Sequence, residues 1–103
     1  MVKINSNGEV LCPKCGGNFL HQSSINATFR DSEDGPGTSV LSNKRGVHIE
    51  RSKTDKIFGR RDVVEIDFWC ESCGKENVLP PLIIYQHKGR THMEWLTPPP
   101  SLW

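Results

Sequence analysis

The chain has 103 residues, with 13 Lys and Arg against 12 Asp and Glu, 35% hydrophobic residues and a formal net charge of +1. That length predicts one domain with a modest core, and the near-neutral balance is not that of a strongly basic nucleic-acid domain, although a net charge says less than its distribution. There is no apolar run near the roughly 20 residues that cross a bilayer as a helix and no signal-like apolar core at the N-terminus, so a cytoplasmic protein with reduced cysteines is expected.

In chain order the pattern is one of strands and turns with no helical period. Val2 and Ile4, then Val10 and Leu11, flank Asn7-Gly8 and predict a hairpin leading into Cys12-Pro13-Lys14-Cys15-Gly16. Ile25, Ala27 and Phe29 alternate with Asn26, Thr28 and Arg30, which predicts a strand burying the three apolar residues. Asp31 to Gly37 reads as a loop. Val40-Leu41 and Val47 with Ile49 predict two further strands about a turn at Asn43 to Gly46, and Arg51 to Arg61 a mobile basic loop carrying Ile57 and Phe58. From Asp62 the alternation sharpens. Val64, Ile66, Phe68 and Cys70 share one face, opposite Val63, Glu65, Asp67 and Trp69, and this strand delivers Cys70-Glu71-Ser72-Cys73-Gly74. Pro80-Pro81 interrupts pairing. Leu82 to His87 then folds back through Lys88-Gly89 onto Arg90 to Leu96, in a register that sets Leu82 opposite Trp95, Ile84 opposite Met93 and Tyr85 opposite His92. The fold class expected is mainly β: a small antiparallel sheet over residues 1–97, with a long excursion at 21–61 and a Pro-rich tail at 98–103.

The two C-x-x-C-G segments use all four cysteines of the chain. Each can form a knuckle offering two sulfurs to a metal, so Cys12, Cys15, Cys70 and Cys73 are the candidate ligands of one Zn²⁺. Glycine after each second cysteine suits a positive φ, and Pro13 presets the first bend. Four thiolates close the coordination shell and leave no position for water or substrate, which makes the site structural. They also give the site a net charge of −2, which Lys14 and Lys75 stand close enough in sequence to offset. Two disulfides, or an iron site of the rubredoxin kind, are the alternatives for the same cysteines. His21 is the one histidine close in sequence to a knuckle, and a four-thiolate shell has no vacancy for it.

Paired knuckles on β-hairpins resemble the zinc-ribbon class, although 54 residues separate Cys15 from Cys70 where a minimal ribbon has fewer. More of the chain is similar to small uncharacterised zinc-ribbon proteins of bacteriophages and bacterial mobile elements. The resembling segments are Cys12 to Gly16 with Leu20-His21, Phe29-Arg30 leading to Glu33-Asp34, Arg61-Asp62 through Phe68 to Cys73, and Gln86 to Thr91 with Trp95. That resemblance implies a viral or mobile-element origin, with the host cytoplasm as its place of action, and carries no established activity.

Two functions compete. Residues 44–61 hold seven basic side chains against Glu50 and Asp55, and residues 62–76 hold five acidic side chains against Lys75. Segregated charge suits a protein partner, as for an inhibitor or adaptor of a host complex, with Phe58, Trp69, Trp95 and Trp103 as anchors if exposed. Trp95 is equally a core residue by its face, and Trp69 a cover for the knuckle. Exposed edge strands would also allow a homodimer. The alternative is nucleic-acid binding through Lys44, Arg45, Arg51, Lys53, Lys56, Arg60 and Arg61 together with His87, Lys88, Arg90 and His92 at the hairpin tip, Tyr85 stacking on a base. Ordinary solvated turns account for the same residues. Catalysis is not expected, since no nucleophile stands beside an evident base and no glycine-rich phosphate loop occurs.

Overall fold

The computed structural model describes residues 2–30, 37–53 and 62–96. These form one six-stranded sheet: β1 (Leu20–Arg30), β2 (Gly37–Asn43), β3 (Gly46–Lys53), β4 (Val63–Cys70), β5 (Leu82–His87) and β6 (Arg90–Trp95). The spatial order is β3-β2-β1-β4-β5-β6 and every pairing is antiparallel. Two meanders, β1-β2-β3 and β4-β5-β6, are joined at the centre by β1 against β4. The mainly antiparallel-β fold expected from alternation is therefore the fold observed, and no described residue is helical.

The strand positions after residue 62 follow the alternation closely. Leu82 lies opposite Trp95, Ile84 opposite Met93 and Tyr85 opposite His92. Lys88 and Gly89, at φ 52° and 78°, form the two-residue turn, with both φ values positive as a type I′ hairpin requires. The β2–β3 turn also falls where expected. There the Asn43 side-chain oxygen accepts the Arg45 N–H at 2.8 Å.

Four local expectations change. The N-terminal hairpin closes through one bridge, Ile4 to Val10, and through a turn in which the Asn5 carbonyl accepts the Gly8 N–H, so it is shorter than two full strands. Gly37 is not loop but the first residue of β2, pairing with Arg30. Arg51 to Lys53 are strand rather than loop, because β3 continues to pair with β2 as far as Gly37–Lys53. The excursion is no separate sheet either: β1, β2 and β3 extend the one sheet sideways from β4. The expected loop at residues 31–36, the basic segment 54–61 with Ile57 and Phe58, and the tail 98–103 with Trp103 lie outside the described residues.

The largest correction concerns β1. Ile25 and Phe29, expected in the core, are 41% and 57% exposed, whereas Thr28 on the opposite face is buried between Ser39 and Val63. Among the described residues nothing lies over the Ile25 face of β1, β2 and β3, whereas Thr28, Ser39, Val63 and Ile83 are buried on the opposite face. Buried apolar residues are few. They comprise Val63 and Ile83 on one face, Leu82 on the other, and Cys12, Cys70 and Leu79 at the knuckles.

Candidate metal centre and the faces of the sheet

The knuckle cluster occupies one end of the central strands. Cys70 ends β4 and pairs with Leu20, the first residue of β1. Leu20 and Phe68 pack on Cys12, Cys70 and Leu79, and Phe68 meets Trp95 edge-on at 5.8 Å. A register shift between Gln22 and Ser24 makes this possible. Side chains alternate between faces, so without the extra residue Leu20 and Ile25, five positions apart, would point to opposite sides. With the bulge, Leu20 reaches the knuckles while Ile25, Ala27 and Phe29 stay on the same face.

Both knuckles have the same backbone. The Gly16 N–H reaches the Cys12 carbonyl at 3.0 Å and the Gly74 N–H the Cys70 carbonyl at 2.9 Å. Gly16 and Gly74 have φ of 76° and 87°, so each glycine supplies the left-handed turn that its position after the second cysteine predicts. In the first knuckle the N–H groups of Lys14 and Gly17 point at the sulfurs of Cys12 and Cys15, each at 3.4 Å. The Asn77 amide also donates to the Cys73 carbonyl.

The four sulfurs lie within 4.8 Å of one another. The closest pairs are Cys15–Cys70 at 3.6 Å and Cys12–Cys73 at 3.8 Å, both between knuckles. A tetrahedron with metal–sulfur bonds of about 2.3 Å has edges of about 3.8 Å, whereas a disulfide needs about 2.05 Å. All four cysteines are free thiols. The donor set therefore fits one four-coordinate metal ion.

The electrostatics point the same way. Burial opposes ionisation of Cys12, but hydrogen bonds from the backbone N–H groups of Cys15 and Lys14 outweigh it and hold the thiol down at about 7. Cys73, crowded first by the Cys15 thiol and then by burial and the remaining sulfurs, is pushed up to about 12. Four thiols this close cannot all ionise alone, and a cation at their centre is what would let them.

His21 is no ligand. Its Nε2 lies 2.7 Å from Glu71 Oε1, and its ring stacks on Trp69 at 4.3 Å. Trp69 likewise belongs to the face opposite Cys70, where the Lys75 ammonium sits 4.7 Å from its ring centroid. Lys75 is thus engaged by an aromatic ring, and Trp69 is not a cover for the sulfurs.

Among the described residues, the expected nucleic-acid contacts do not converge. Lys44 and Arg45 form the β2–β3 turn, toward the knuckle end, since Asn43 pairs with Ser24. Lys88 and its neighbours His87 and Arg90 lie at the other end, beyond the Val63–Tyr85 pair. At about 3.3 Å per residue and 4.8 Å per strand, the two turns stand on the order of 30 Å apart. Arg51 and Lys53 belong to the far half of β3, at the sheet edge opposite β6. Tyr85 is occupied: its hydroxyl donates to Glu94 at 3.0 Å and its ring stacks on His92 at 5.3 Å, with His87 edge-on to His92 at 6.1 Å. Lys56, Arg60 and Arg61 lie outside the described residues.

A different surface emerges that the strand-by-strand reading missed. By register, Val47 and Ile49 of β3, Val40 of β2, Ile25, Ala27 and Phe29 of β1, Val64, Ile66 and Phe68 of β4, Leu82 and Ile84 of β5, and Met93 and Trp95 of β6 share one face. The signal was in the sequence: every strand supplied at least one apolar residue on this face, most of them two or three on alternate positions, and the sequence shows no helical period. No protein-family model, no curated protein and no solved structure matches this chain.

Proposed function

We propose that this chain is a non-enzymatic zinc-ribbon module of phage or mobile-element type, its single Zn²⁺ structural. It acts through protein contacts as an inhibitor or adaptor of a complex in the host cytoplasm. The observation that carries this reading is the open apolar face. Ile25, Phe29, Val40, Val47, Ile49 and Met93 are 36% to 66% exposed on one side of the sheet. On the order of 600 Å² of apolar surface gathered this way matches the largest patch of a typical soluble monomer, a size that often serves binding and so supports a protein contact. Phosphate recognition needs clustered cations instead, and the described basic residues stand at separate corners of the sheet.

The zinc assignment rests on the donor set: thiolates at tetrahedral spacing suit Zn²⁺, and a closed shell offers stability rather than chemistry. The test of the binding reading is a photo-reactive residue in place of Ile49, irradiated in the cells that express the protein. Covalent adducts with protein are expected, and a control at Lys14 should give few. Absence of any protein adduct at Ile49, with the protein folded and zinc-loaded, would sink the reading, and adducts with nucleic acid would replace it.

A further inference from the structure

The apolar face narrows the choice of partner. We infer that a second copy of this chain covers it, the two sheets packing face to face as the halves of a β-sandwich. This inference rests on reading that face as a protein contact and assigns the face to a second copy, which leaves contact with a host complex to the surfaces outside it.

Three observations lead to it. The first is charge. At the paired positions of the face, from Val47 and Ile49 through Val40, Ile25 to Phe29, Val64 to Phe68, Leu82 to Gln86 and Thr91 to Trp95, there is no acidic or basic residue. The polar members are Gln22, Thr38, Ser42, Gln86 and Thr91, all neutral. Arg51 stands at the rim, where the β3 register shifts. A two-fold interface sets each surface against itself, so any central charge would meet its own kind at a cost of several kcal/mol. The centre of this face carries none; Lys44, Arg51 and Asp62 stand around its rim. A partner chosen by charge would be recognised by the other features of the molecule, not by this one.

The second is shape. Sheets pack about 10 Å apart through alternating aliphatic side chains, and the partner such a face needs is another twisted sheet with the same alternation. The described residues form one sheet, and both its meanders are already used to build it. A copy supplies the missing layer. The knuckles and Trp95 stand at one end of the face, so the open part is the side formed by β1, β2 and β3 with Met93 beyond.

The third is area. Two faces of on the order of 600 Å² bury together about 1,200 Å², the lower bound of specific, stable interfaces. A weak dimer with micromolar dissociation is the expected result, rather than an obligate one.

The experiment uses the purified, zinc-loaded full chain. Sedimentation equilibrium from about 5 to 500 µM should show a monomer–dimer equilibrium. Ile49→Lys and Val40→Glu each place an unpaired charge in the apolar contact and should weaken it by about a hundredfold or more. Both positions are exposed, and retained zinc stoichiometry and circular dichroism will establish that the variants fold. Lys88→Glu, at the hairpin tip off this face, should leave the equilibrium unchanged. In a mixture of isotope-labelled and unlabelled chains, intermolecular NOEs should join the methyl groups of Ile25, Val40 and Ile49.

A protein that stays monomeric at 500 µM overturns the inference, as do intramolecular NOEs from these methyls to residues 54–61 or 97–103. A dimer insensitive to Ile49→Lys and Val40→Glu, with NOEs along β3 or β6 alone, also overturns it in favour of edge pairing. The two readings separate cleanly. A monomer whose Ile49 probe still captures another protein in cells removes the second copy but keeps the binding module; a monomer with no adduct removes both.

Discussion

Single residues set both the strengths and the strains of this chain. Replacing Cys70 by Ser removes one of four thiolates from a fully buried position, and the expected outcome is loss of zinc with a fall in stability of at least 3 kcal/mol, seen by metal analysis and thermal melting. A folded, zinc-loaded variant would show that another group completes the shell. Lys88 is the one described residue other than glycine with a positive φ. A left-handed backbone costs a lysine on the order of 1 kcal/mol and asparagine much less, so Lys88→Asn should stabilise the protein by about 0.5–1 kcal/mol. An unchanged or lower melting temperature would refute that. Glu9 accepts the side-chain amides of Asn5 at 2.9 Å and Asn18 at 3.3 Å, and these bonds lower its pKa. A depressed carboxyl contributes stability above its unfolded pKa and loses it as pH falls through the folded value. The N-terminal hairpin should therefore loosen only as pH falls below the ordinary carboxylate range, and Asn5→Ala should move the Glu9 titration, followed by NMR, back upward.

At the level of the strands, the bulge at Ser23 holds the two ends of β1 to one purpose. Deleting Ser23 would force a choice between the Leu20–Cys70 pair and the Ile25–Ile66 pair, because either register turns the other half of the strand over. A loss of about 2–4 kcal/mol is expected, some 10–20 °C in melting temperature, whereas Ser23→Ala should be nearly silent. A deletion that melts like the parent would mean that the bulge carries no register. This device shows what the sequence made legible and what it hid. Alternation from Val63 onward was unbroken, and a two-residue turn fixed the β5–β6 pairing to the residue. The glycines after the cysteines likewise gave the knuckle backbone. In β1 the apolar period changes phase between Leu20 and Ile25, and reading only the second half concealed the bulge. The pairing of β1 with β4 had no local signal at all, since it joins segments some forty residues apart through backbone groups that every residue carries. Which face of β1 is covered depends on layers, and alternation reports only that two faces differ.

Across the whole molecule the metal site and the thin sheet are coupled. Of the six buried apolar residues, Cys12, Cys70 and Leu79 form the knuckle cluster, while Val63, Leu82 and Ile83 serve the sheet. The described core is thus divided about equally between a metal-dependent part and a single layer with little depth. Domains of this size keep a net stability of about 5–15 kcal/mol, and a closed thiolate zinc site contributes on the order of 10 kcal/mol at neutral pH. The second figure consumes most of the first. Chelation should therefore unfold the protein globally instead of only freeing residues 2–19, because without the staple Leu20 and Phe68 lose their packing and the β1–β4 seam is left with polar partners and an open face. Amide hydrogen exchange distinguishes the two outcomes. Global unfolding predicts that protection disappears together in β1, β4 and β5 when the metal is removed, and returns together when zinc is restored. Local fraying predicts loss at residues 12–20 and 70–79 alone, with β2 and β3 still protected. If the sheets do pair face to face, raising the protein concentration should delay the collapse of the metal-free form, since mass action stabilises whatever state the dimer retains. A chelated protein whose exchange is independent of concentration and confined to the knuckles would show that the sheet stands without its staple.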